Sequence, residues 1–194
     1  MSEAPSEPSA QAATVHPVIP DSVVLAPGAQ VIGNVTLGER VYVGPNAVLR
    51  GDIEGITVGD DSNIQDCCVV HTERGSPTTI GRNVSMGHGA VVHGATIEDD
   101  ALVGMNAVVL NGARVGQASL IGALSLVPER FEVPPRSLAV GTPCRVVKED
   151  HAGIAGAVTA NGRRYQEYRA DHVAGRWGVV TGPVGLPQEP GRDD

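Results

Sequence analysis

The sequence predicts a parallel β-helix that is followed by a C-terminal α-helix. A branched aliphatic residue or methionine recurs every six positions over most of the chain, and a segment containing Lys, Glu, Arg and Tyr follows this repeat. The composition agrees, because aromatic residues make up only 3% of the chain while 25 of its 194 residues are glycine. Such a mixture is typical of short strands joined by many turns.

The six-residue spacing extends over eighteen positions with three interruptions. A period of six matches neither the 3.6-residue period of an amphipathic helix nor the alternation of a long strand. In a parallel β-helix each hexad supplies one short strand and a turn, and three hexads complete one triangular turn, so we expect about six turns. We call the inward-pointing members of the repeat key positions; they are Ile19, Leu25, Val31, Leu37, Val43, Leu49, Val58, Ile64, Val70, Ile80, Met86, Val92, Ile97, Val103, Val109, Val115, Ile121 and Val127.

The chain divides into four segments by composition. We expect a disordered tail, the β-helix, a helix that packs on the β-helix, and a flexible tail, at residues 1–14, 15–145, 146–176 and 177–194. Proline-rich turns between Pro134 and Pro143 are expected to end the repeat. The helix is expected to be weakened or broken near three glycines, Gly153, Gly156 and Gly162.

Charge and cysteine content narrow the possible functions. The net charge of −8 and the lack of a basic run argue against a nucleic-acid surface. No window approaches 18 uncharged apolar residues, so we expect no membrane span. Three cysteines without paired C-x-x-C spacing suit a reduced, cytoplasmic protein. We expect the adjacent Cys67 and Cys68 to be packing residues, with modulation of the site as the alternative role for Cys67.

Arg50, His71 and His93 each directly follow a key position, and those key positions lie three hexads apart. They therefore form one outward-facing column on successive turns. Adjacent turns bring the backbones of His71 and His93 to within about 4.8 Å, close enough for both imidazoles to share a metal ion.

His88 and Asp66 form a second column, because each lies two residues after a key position on the preceding face. His88 does not easily reach the histidine pair within one chain. If three copies pack around a threefold axis, His88 meets His71 and His93 of the neighbour, and Asp66 meets Arg50 of the neighbour. Three neutral imidazoles leave one position of a zinc ion open for water.

Four stretches resemble the γ-class carbonic anhydrases, in particular their short-loop branch: Arg50-Gly51-Asp52, Asn63-Ile64-Gln65-Asp66, His71, and Met86 through Gly94. The resemblance runs from about Pro17 to Val147. It implies a left-handed β-helix and a homotrimer with Zn²⁺ or Fe²⁺ between subunits. It also implies reversible hydration of CO₂ to bicarbonate by a metal-bound hydroxide.

The same resemblance assigns roles to individual residues. It implies that His71 and His93 of one subunit and His88 of the next bind the metal, and that Gln65 positions the hydroxide. Arg50, Asp52 and Asp66 look like the interface ion-pair residues of the family. In place of an acidic loop with a proton-shuttling glutamate, this chain has a short excursion whose one acid is Glu73, with Glu54 as the alternative shuttle.

Two other functions are compatible with a hexapeptide repeat. A hexapeptide acyltransferase or CoA-linked enzyme usually needs one catalytic histidine and a CoA groove between subunits, so three clustered histidines argue against it. A non-catalytic metal-binding trimeric scaffold is the second alternative, and a metal assay with a CO₂ hydration assay separates the three.

Overall fold

The structure is a computed structural model that describes residues 14–150 and 152–178. These residues form a parallel β-helix of about six turns and one C-terminal helix, which confirms the predicted fold class. The predicted tails fall almost entirely outside the described residues. No described helix has the length and apolar character needed to cross a bilayer.

The β-helix is built from short strands, most of them two or three residues long. They are β1 Val24–Leu25, β2 Gln30–Leu37, β3 Tyr42–Val43, β4 Val48–Val58, β5 Asn63–Ile64, β6 Val69–His71, β7 Thr78–Ile80, β8 Ser85–Met86, β9 Val91–His93, β10 Thr96–Ile97, β11 Leu102–Val103, β12 Val108–Val109, β13 Arg114–Val115, β14 Leu120–Ile121, β15 Leu126–Val127, β16 Glu132–Val133, β17 Leu138–Gly141 and β18 Cys144–Lys148.

The strands stack into three faces. The first face has the order β1-β3-β5-β8-β11-β14-β17, and β18 adds to it as an antiparallel strand. The second face runs from β2 through the start of β4 to β6, β9, β12 and β15. The third face joins the end of β4 to β7, β10, β13 and β16. Apart from the β17–β18 pair, every strand pair in these three faces is parallel.

The key positions build the core. Every one of them from Leu37 to Val127 is at most 2% exposed, and each buried aliphatic side chain contributes roughly 1.5–3 kcal/mol to the free energy of unfolding. Ile19 and Leu25, in contrast, are 37% and 44% exposed. They belong to the first turn, which has a neighbouring turn on one side only among the described residues.

The repeat also continues further than the sequence suggested. Val133 and Ala139 extend the six-residue spacing and are 2% and 0% exposed. Pro134 and Pro135 occupy the turn between these two hexads, where a fixed φ and a missing N–H are tolerated. The repeat therefore ends within the proline-rich segment, but only after Ala139, where the antiparallel strand β18 follows β17.

Helix α1 spans Ala152–Val173 without interruption, so the expected break at its glycines does not occur. Strand β18 covers Cys144–Lys148, so the first three residues of the predicted helical segment, 146–148, form a strand instead. Ile154 and Val158 are buried, and the helix contacts β1, β3 and β8. A Cβ at Gly162 would lie 2.5 Å from Oδ1 of Asn83, so this glycine allows close packing on the β-helix. Tertiary packing thus outweighs the low helix propensity of glycine.

Candidate metal centre

His71 and His93 lie side by side on the second face, at the ends of β6 and β9. The two residues pair in register, as the repeat predicts. Their ring centroids are 5.0 Å apart, and Nδ1 of His71 lies 3.0 Å from Nε2 of His93. The excursion between them leaves the register intact, because Glu73 and Ser76 close it with a reciprocal pair of backbone hydrogen bonds.

In each ring one nitrogen, the inner one, faces the other histidine, and the second nitrogen, the outer one, faces an oxygen acceptor. Nε2 of His71 lies 3.0 Å from a carboxylate oxygen of Asp52, and Nδ1 of His93 lies 2.6 Å from the amide oxygen of Asn111. The pKa of Asp52 is lowered, first by a hydrogen bond from Arg50 and then by one from His71, so this acceptor is an ionised carboxylate. Each ring therefore carries its proton on the outer nitrogen and a lone pair on the inner one.

Two lone pairs that face each other repel unless a cation lies between them. Two nitrogens bound to one tetrahedral zinc ion at about 2.0–2.1 Å are about 3.3 Å apart, and the two inner nitrogens here are 3.0 Å apart. Outer acceptors of this kind orient the metal-binding histidines of zinc proteins. The donor set of His71 and His93 therefore fits a shared metal ion.

Thr78 and Asn111 hold this pair in place, and sequence reasoning missed both. The Thr78 hydroxyl donates to the backbone oxygen of His71 and accepts a hydrogen bond from the amide of Gly94. Gly94 has a φ of 58°, and a Cβ there would lie 2.5 Å from the amide oxygen of Asn111. Asn111 follows a key position of the same face by two residues, so counting hexads one turn further could have found it.

His88 lies on the other column, between β8 and β9. Its Nδ1 is 2.7 Å from a carboxylate oxygen of Asp66, and its Nε2 is 3.2 Å from the hydroxyl of Tyr165. With its proton on Nδ1, His88 offers a lone pair on Nε2, to which Tyr165 donates. Burial, with a smaller contribution from Asp66, raises the pKa of Tyr165 to about 12, so the phenol keeps its proton.

A single chain keeps these ligands on two faces. Within residues 14–150 and 152–178, no group of three His, Cys, Asp or Glu side chains is placed to hold a metal ion. The pair on the second face and His88 on the first face are thus two separate groups of candidate ligands. This agrees with the expectation that His88 does not reach the pair within its own chain.

Arg50 and Asp66, which are expected to pair between subunits, both have partners within the chain. Asp66 accepts a hydrogen bond from His88, and Arg50 donates to Asp52 at 2.6 Å. The six-residue spacing places Asp66 beside His88 of the same column, and Arg50 and Asp52 lie on the same strand, β4. An Arg50–Asp66 pair between subunits stays a prediction.

Gln65 lies beside His88 but uses its amide for structural contacts. It is 4% exposed; its NH₂ group donates to Oδ1 of Asn63, and its oxygen accepts a hydrogen bond from the backbone amide of His88. Gln65 and His88 both line a cavity of about 360 Å³ under α1. Gln65 therefore fixes the turn that carries His88.

The two candidate proton shuttles lie at the excursion after His71. The Glu54 carboxylate accepts a hydrogen bond from the amide of Gly75, and that of Glu73 accepts one from the amide of Arg74. These contacts tie both carboxylates to the excursion rather than to a histidine. Their assignment as shuttles stays a prediction.

The adjacent cysteines have different environments. Cys68 is fully buried, its thiol lies 3.1 Å from the backbone oxygen of Gly87, and burial raises its pKa to about 12. This confirms Cys68 as a packing residue. Cys67 is exposed, which contradicts the expectation of packing for this residue. It lies in a turn with a φ of 58°, which directs its side chain away from the core.

Comparisons with protein families identify the repeat. The family described as bacterial transferase hexapeptide (six repeats) matches residues 16–51. The family described as hexapeptide repeat of succinyl-transferase matches residues 34–70 and 77–111.

Among curated proteins, a "Probable carbonic anhydrase" of Methanocaldococcus jannaschii is 51% identical over 148 residues, which cover 76% of this chain and 93% of that protein. The "Carnitine operon protein CaiE" of Escherichia coli is 43% identical over 132 residues, which cover 68% of this chain and 67% of that protein.

Solved structures share the fold. A Bacillus cereus protein that is provisionally named an acetyltransferase is 33% identical, with a TM-score of 0.79 over 81% of this chain and 92% of that one. A hexapeptide transferase family protein from Anaplasma phagocytophilum is 30% identical, with a TM-score of 0.78 over 81% of this chain and 93% of that one. The repeat, the paired histidines and these relatives together show that the chain belongs to the γ-class carbonic anhydrase-like family of hexapeptide-repeat proteins.

Proposed function

We propose that this chain catalyses the zinc-dependent, reversible hydration of CO₂ to bicarbonate, at sites shared by two subunits of a homotrimer. One observation carries the proposal. The inner nitrogens of His71 and His93 converge at 3.0 Å while both outer nitrogens face oxygen acceptors. Such a pair is prepared for a cation and is poorly suited to a direct hydrogen bond between neutral rings.

His88 supplies the third ligand in this proposal. Asp66 holds its proton on Nδ1, as Asp52 and Asn111 do for the outer nitrogens of the pair. Nε2 of His88 then offers a lone pair, to which Tyr165 of the same chain donates at 3.2 Å, and in this proposal the metal held by the partner subunit's histidine pair replaces that hydrogen bond. Imidazole ligands suit zinc, with Fe²⁺ as the alternative ion. When bound by three histidines, zinc lowers the pKa of a coordinated water to about 7.

The other residues orient groups around this centre. Gln65 fixes the turn of His88, and the hydroxyl of Tyr165 is a neutral donor within 3.2 Å of Nε2 of His88. A donor at this point can hydrogen-bond to a substrate oxygen once His88 is engaged by the metal. The relative named for carbonic anhydrase, at 51% identity, supports the same reaction.

The test combines metal analysis with a stopped-flow assay of CO₂ hydration. We expect about one zinc ion per chain in the trimer and a hydration rate that is lost in each of His71→Ala, His88→Ala and His93→Ala. His172→Ala is the matched control, because the His172 ring lies away from the histidine pair and, among the described residues, hydrogen-bonds to the backbone of Tyr168 within α1. Fully metal-loaded wild-type protein without hydration activity would refute the reaction and leave a metal-binding scaffold.

Trimer assembly is tested separately by light scattering. If the metal joins two subunits, a chelator and His88→Ala should both lower the thermal midpoint of trimer dissociation. A monomer that binds zinc with the same affinity as the assembled protein would contradict a shared site.

An acyltransferase is the second candidate, because the solved relatives at 33% and 30% identity carry acetyltransferase and hexapeptide transferase names. The cavity of about 360 Å³ beside His88 also has apolar walls, to which Leu102, Met105 and Leu120 contribute. A thermal shift with acetyl-CoA that persists in chelator would favour this function. A thermal shift that zinc produces and acetyl-CoA does not would exclude the acyltransferase function.

A further inference from the structure

The outward side of the second face carries an unbroken row of aliphatic side chains from β4 to β15. Each belongs to the residue directly before a key position, and strand pairing aligns it with its neighbour one turn away. We call these residues the aliphatic row; they are Val48, Val69, Val91, Val108 and Leu126. None of them is buried, and Val69 is 39% exposed. Helix α1 packs instead on β1, β3 and β8 of the first face.

The third face shows that a β-helix does not require aliphatic residues at such positions. From β2 to β16 the corresponding outward residues of this face are polar, namely Thr36, Thr57, Thr79, Thr96, Arg114 and Glu132. Threonine and valine are both enriched in strands, so strand propensity does not explain the difference between the two faces. A contiguous apolar surface that a chain leaves exposed is typical of a protein–protein interface.

Two further apolar side chains project from the turns between the first and second faces. Met105 is 52% exposed, and Leu124 is 71% exposed, the highest value for a large apolar side chain in the described part of the chain. Leu124 also has a φ of 60°, a left-handed conformation that favours asparagine or glycine. Two of the equivalent turns carry asparagine, at Asn46 and Asn106. An exposed leucine in an unfavourable backbone conformation indicates a contact outside its own chain.

The two columns of the candidate metal centre both extend beyond their histidines. In order of turns, the column with the histidine pair reads Ile32, Arg50, His71, His93, Leu110 and Pro128. The column with His88, which we call the His88 column, reads Pro45, Asp66, His88, Met105 and Ala123. Each column is therefore polar in its middle turns and apolar at both ends.

These two orders match when two chains pack side by side in parallel. If His88 meets the histidine pair of the next chain, one turn in one direction brings Asp66 to Arg50 of that chain. One turn in the other direction brings Met105 to Leu110 of that chain. Polar residues then face polar residues and apolar residues face apolar ones, so no charge is buried against an aliphatic side chain.

We propose that Met105 and Leu124 of one chain pack on Leu110 and the aliphatic row of a second copy, and that this contact assembles the trimer without a metal ion. The inference rests on the homotrimer of the proposed function and separates its assembly from its metal binding. A second copy is the occupant because the chain's own His88 column supplies the matching order of polar and apolar turns. Apolar burial needs no metal, so the ligands of two subunits are brought together before zinc binds.

Light scattering of the full-length protein over a dilution series tests the inference, before and after a chelator removes the metal, with metal analysis of each sample. We expect the mass of three chains of 20.0 kDa each in both states. A wild-type protein that dissociates to monomers on chelation, at concentrations where the zinc-loaded protein is a trimer, would overturn the inference. A monomer in the presence of zinc would overturn the trimer and this contact together. A trimer that forms without metal and lacks hydration activity with zinc would support the contact and refute only the reaction.

Variants locate the contact. Leu124→Asn introduces the residue type that Asn106 supplies one turn below, so circular dichroism should show an unchanged fold. The concentration at which half of the metal-free trimer dissociates should rise at least about tenfold in Leu124→Asn and in Leu110→Asp. Arg130→Asn is the matched control, because Arg130 has a φ of 57° in a turn between the second and third faces, and its value should stay within about twofold of the wild type. Unchanged dissociation in Leu124→Asn and Leu110→Asp, or an equal rise in Arg130→Asn, would overturn the assignment.

Discussion

Replacing Asn111 with leucine tests whether the outer hydrogen bonds prepare the histidine pair for a metal ion. The amide oxygen of Asn111 lies 2.6 Å from Nδ1 of His93, and the side chain is partly buried. Leucine is similar in size but offers no acceptor. His93 then loses the partner that keeps its proton on Nδ1 and its lone pair on Nε2. We expect weaker zinc binding with an unchanged fold.

The magnitude follows from the role of such outer partners. Loss of one typically lowers metal affinity about 10- to 100-fold, which corresponds to about 1.4–2.7 kcal/mol of binding free energy. Asn111→Asp is the matched control, because it keeps an oxygen at the same position. Its zinc affinity should stay within about threefold of the wild-type value, since a carboxylate is an equally good acceptor for Nδ1–H.

Zinc affinity is measured by competition with a chromophoric chelator, and circular dichroism and light scattering verify the fold and the assembly. An Asn111→Leu variant that binds zinc as tightly as the wild type would refute the argument. Equal losses in Asn111→Leu and Asn111→Asp would also refute it, since the acceptor oxygen would then not matter.

Three further predictions use other parts of the structure. Tyr165→Phe removes the hydroxyl that donates to Nε2 of His88 and should raise the zinc affinity a few-fold, because one hydrogen bond of about 1 kcal/mol no longer competes for that nitrogen. Chelator competition measures the zinc affinity, and a lower affinity in the variant would contradict this prediction. Ile97→Ala leaves a cavity at a fully buried position and should lower the free energy of unfolding by about 2–5 kcal/mol, as measured in urea. At pH 8 a thiol reagent should modify Cys67 rapidly and leave Cys68 unmodified until the protein unfolds. Burial raises the pKa of Cys68 to about 12, so this side chain stays a thiol. The fast phase of modification should disappear in Cys67→Ser, which would assign that phase to Cys67.

The six-residue repeat predicted more of this protein's fold and site geometry than any single motif did. Because every turn stacks on the previous one, a residue's position in the six-residue period fixes its face and its neighbours one turn away. Counting hexads therefore placed His71 beside His93, 22 residues apart, and His88 with Asp66 on a separate column. It also predicted a core of aliphatic key positions, although the exposed first turn departs from the pattern.

Local propensity was a poorer guide at the C-terminal end. The glycines after residue 150 predicted a broken helix, and the prolines after Val133 predicted the end of the repeat. Packing overrides the first expectation, because Ile154 and Val158 anchor α1 on the β-helix. The second holds only for the end of the proline-rich segment, because Pro134 and Pro135 occupy a turn and leave the inward position of the next hexad, Ala139, free to enter the core before β18 ends the parallel stacking.

Only the tertiary structure decided which groups complete the site. Asn111 on the histidine pair and Tyr165 on His88 are contacts that depend on side-chain rotamers and on the path of α1. Tyr165 lies 77 residues from its partner in a segment outside the repeat, so no period links the two. The sequence thus determined where the backbone carries each histidine, whereas the docking of α1 and the side-chain hydrogen bonds decided which nitrogen of each ring is free to bind a metal ion.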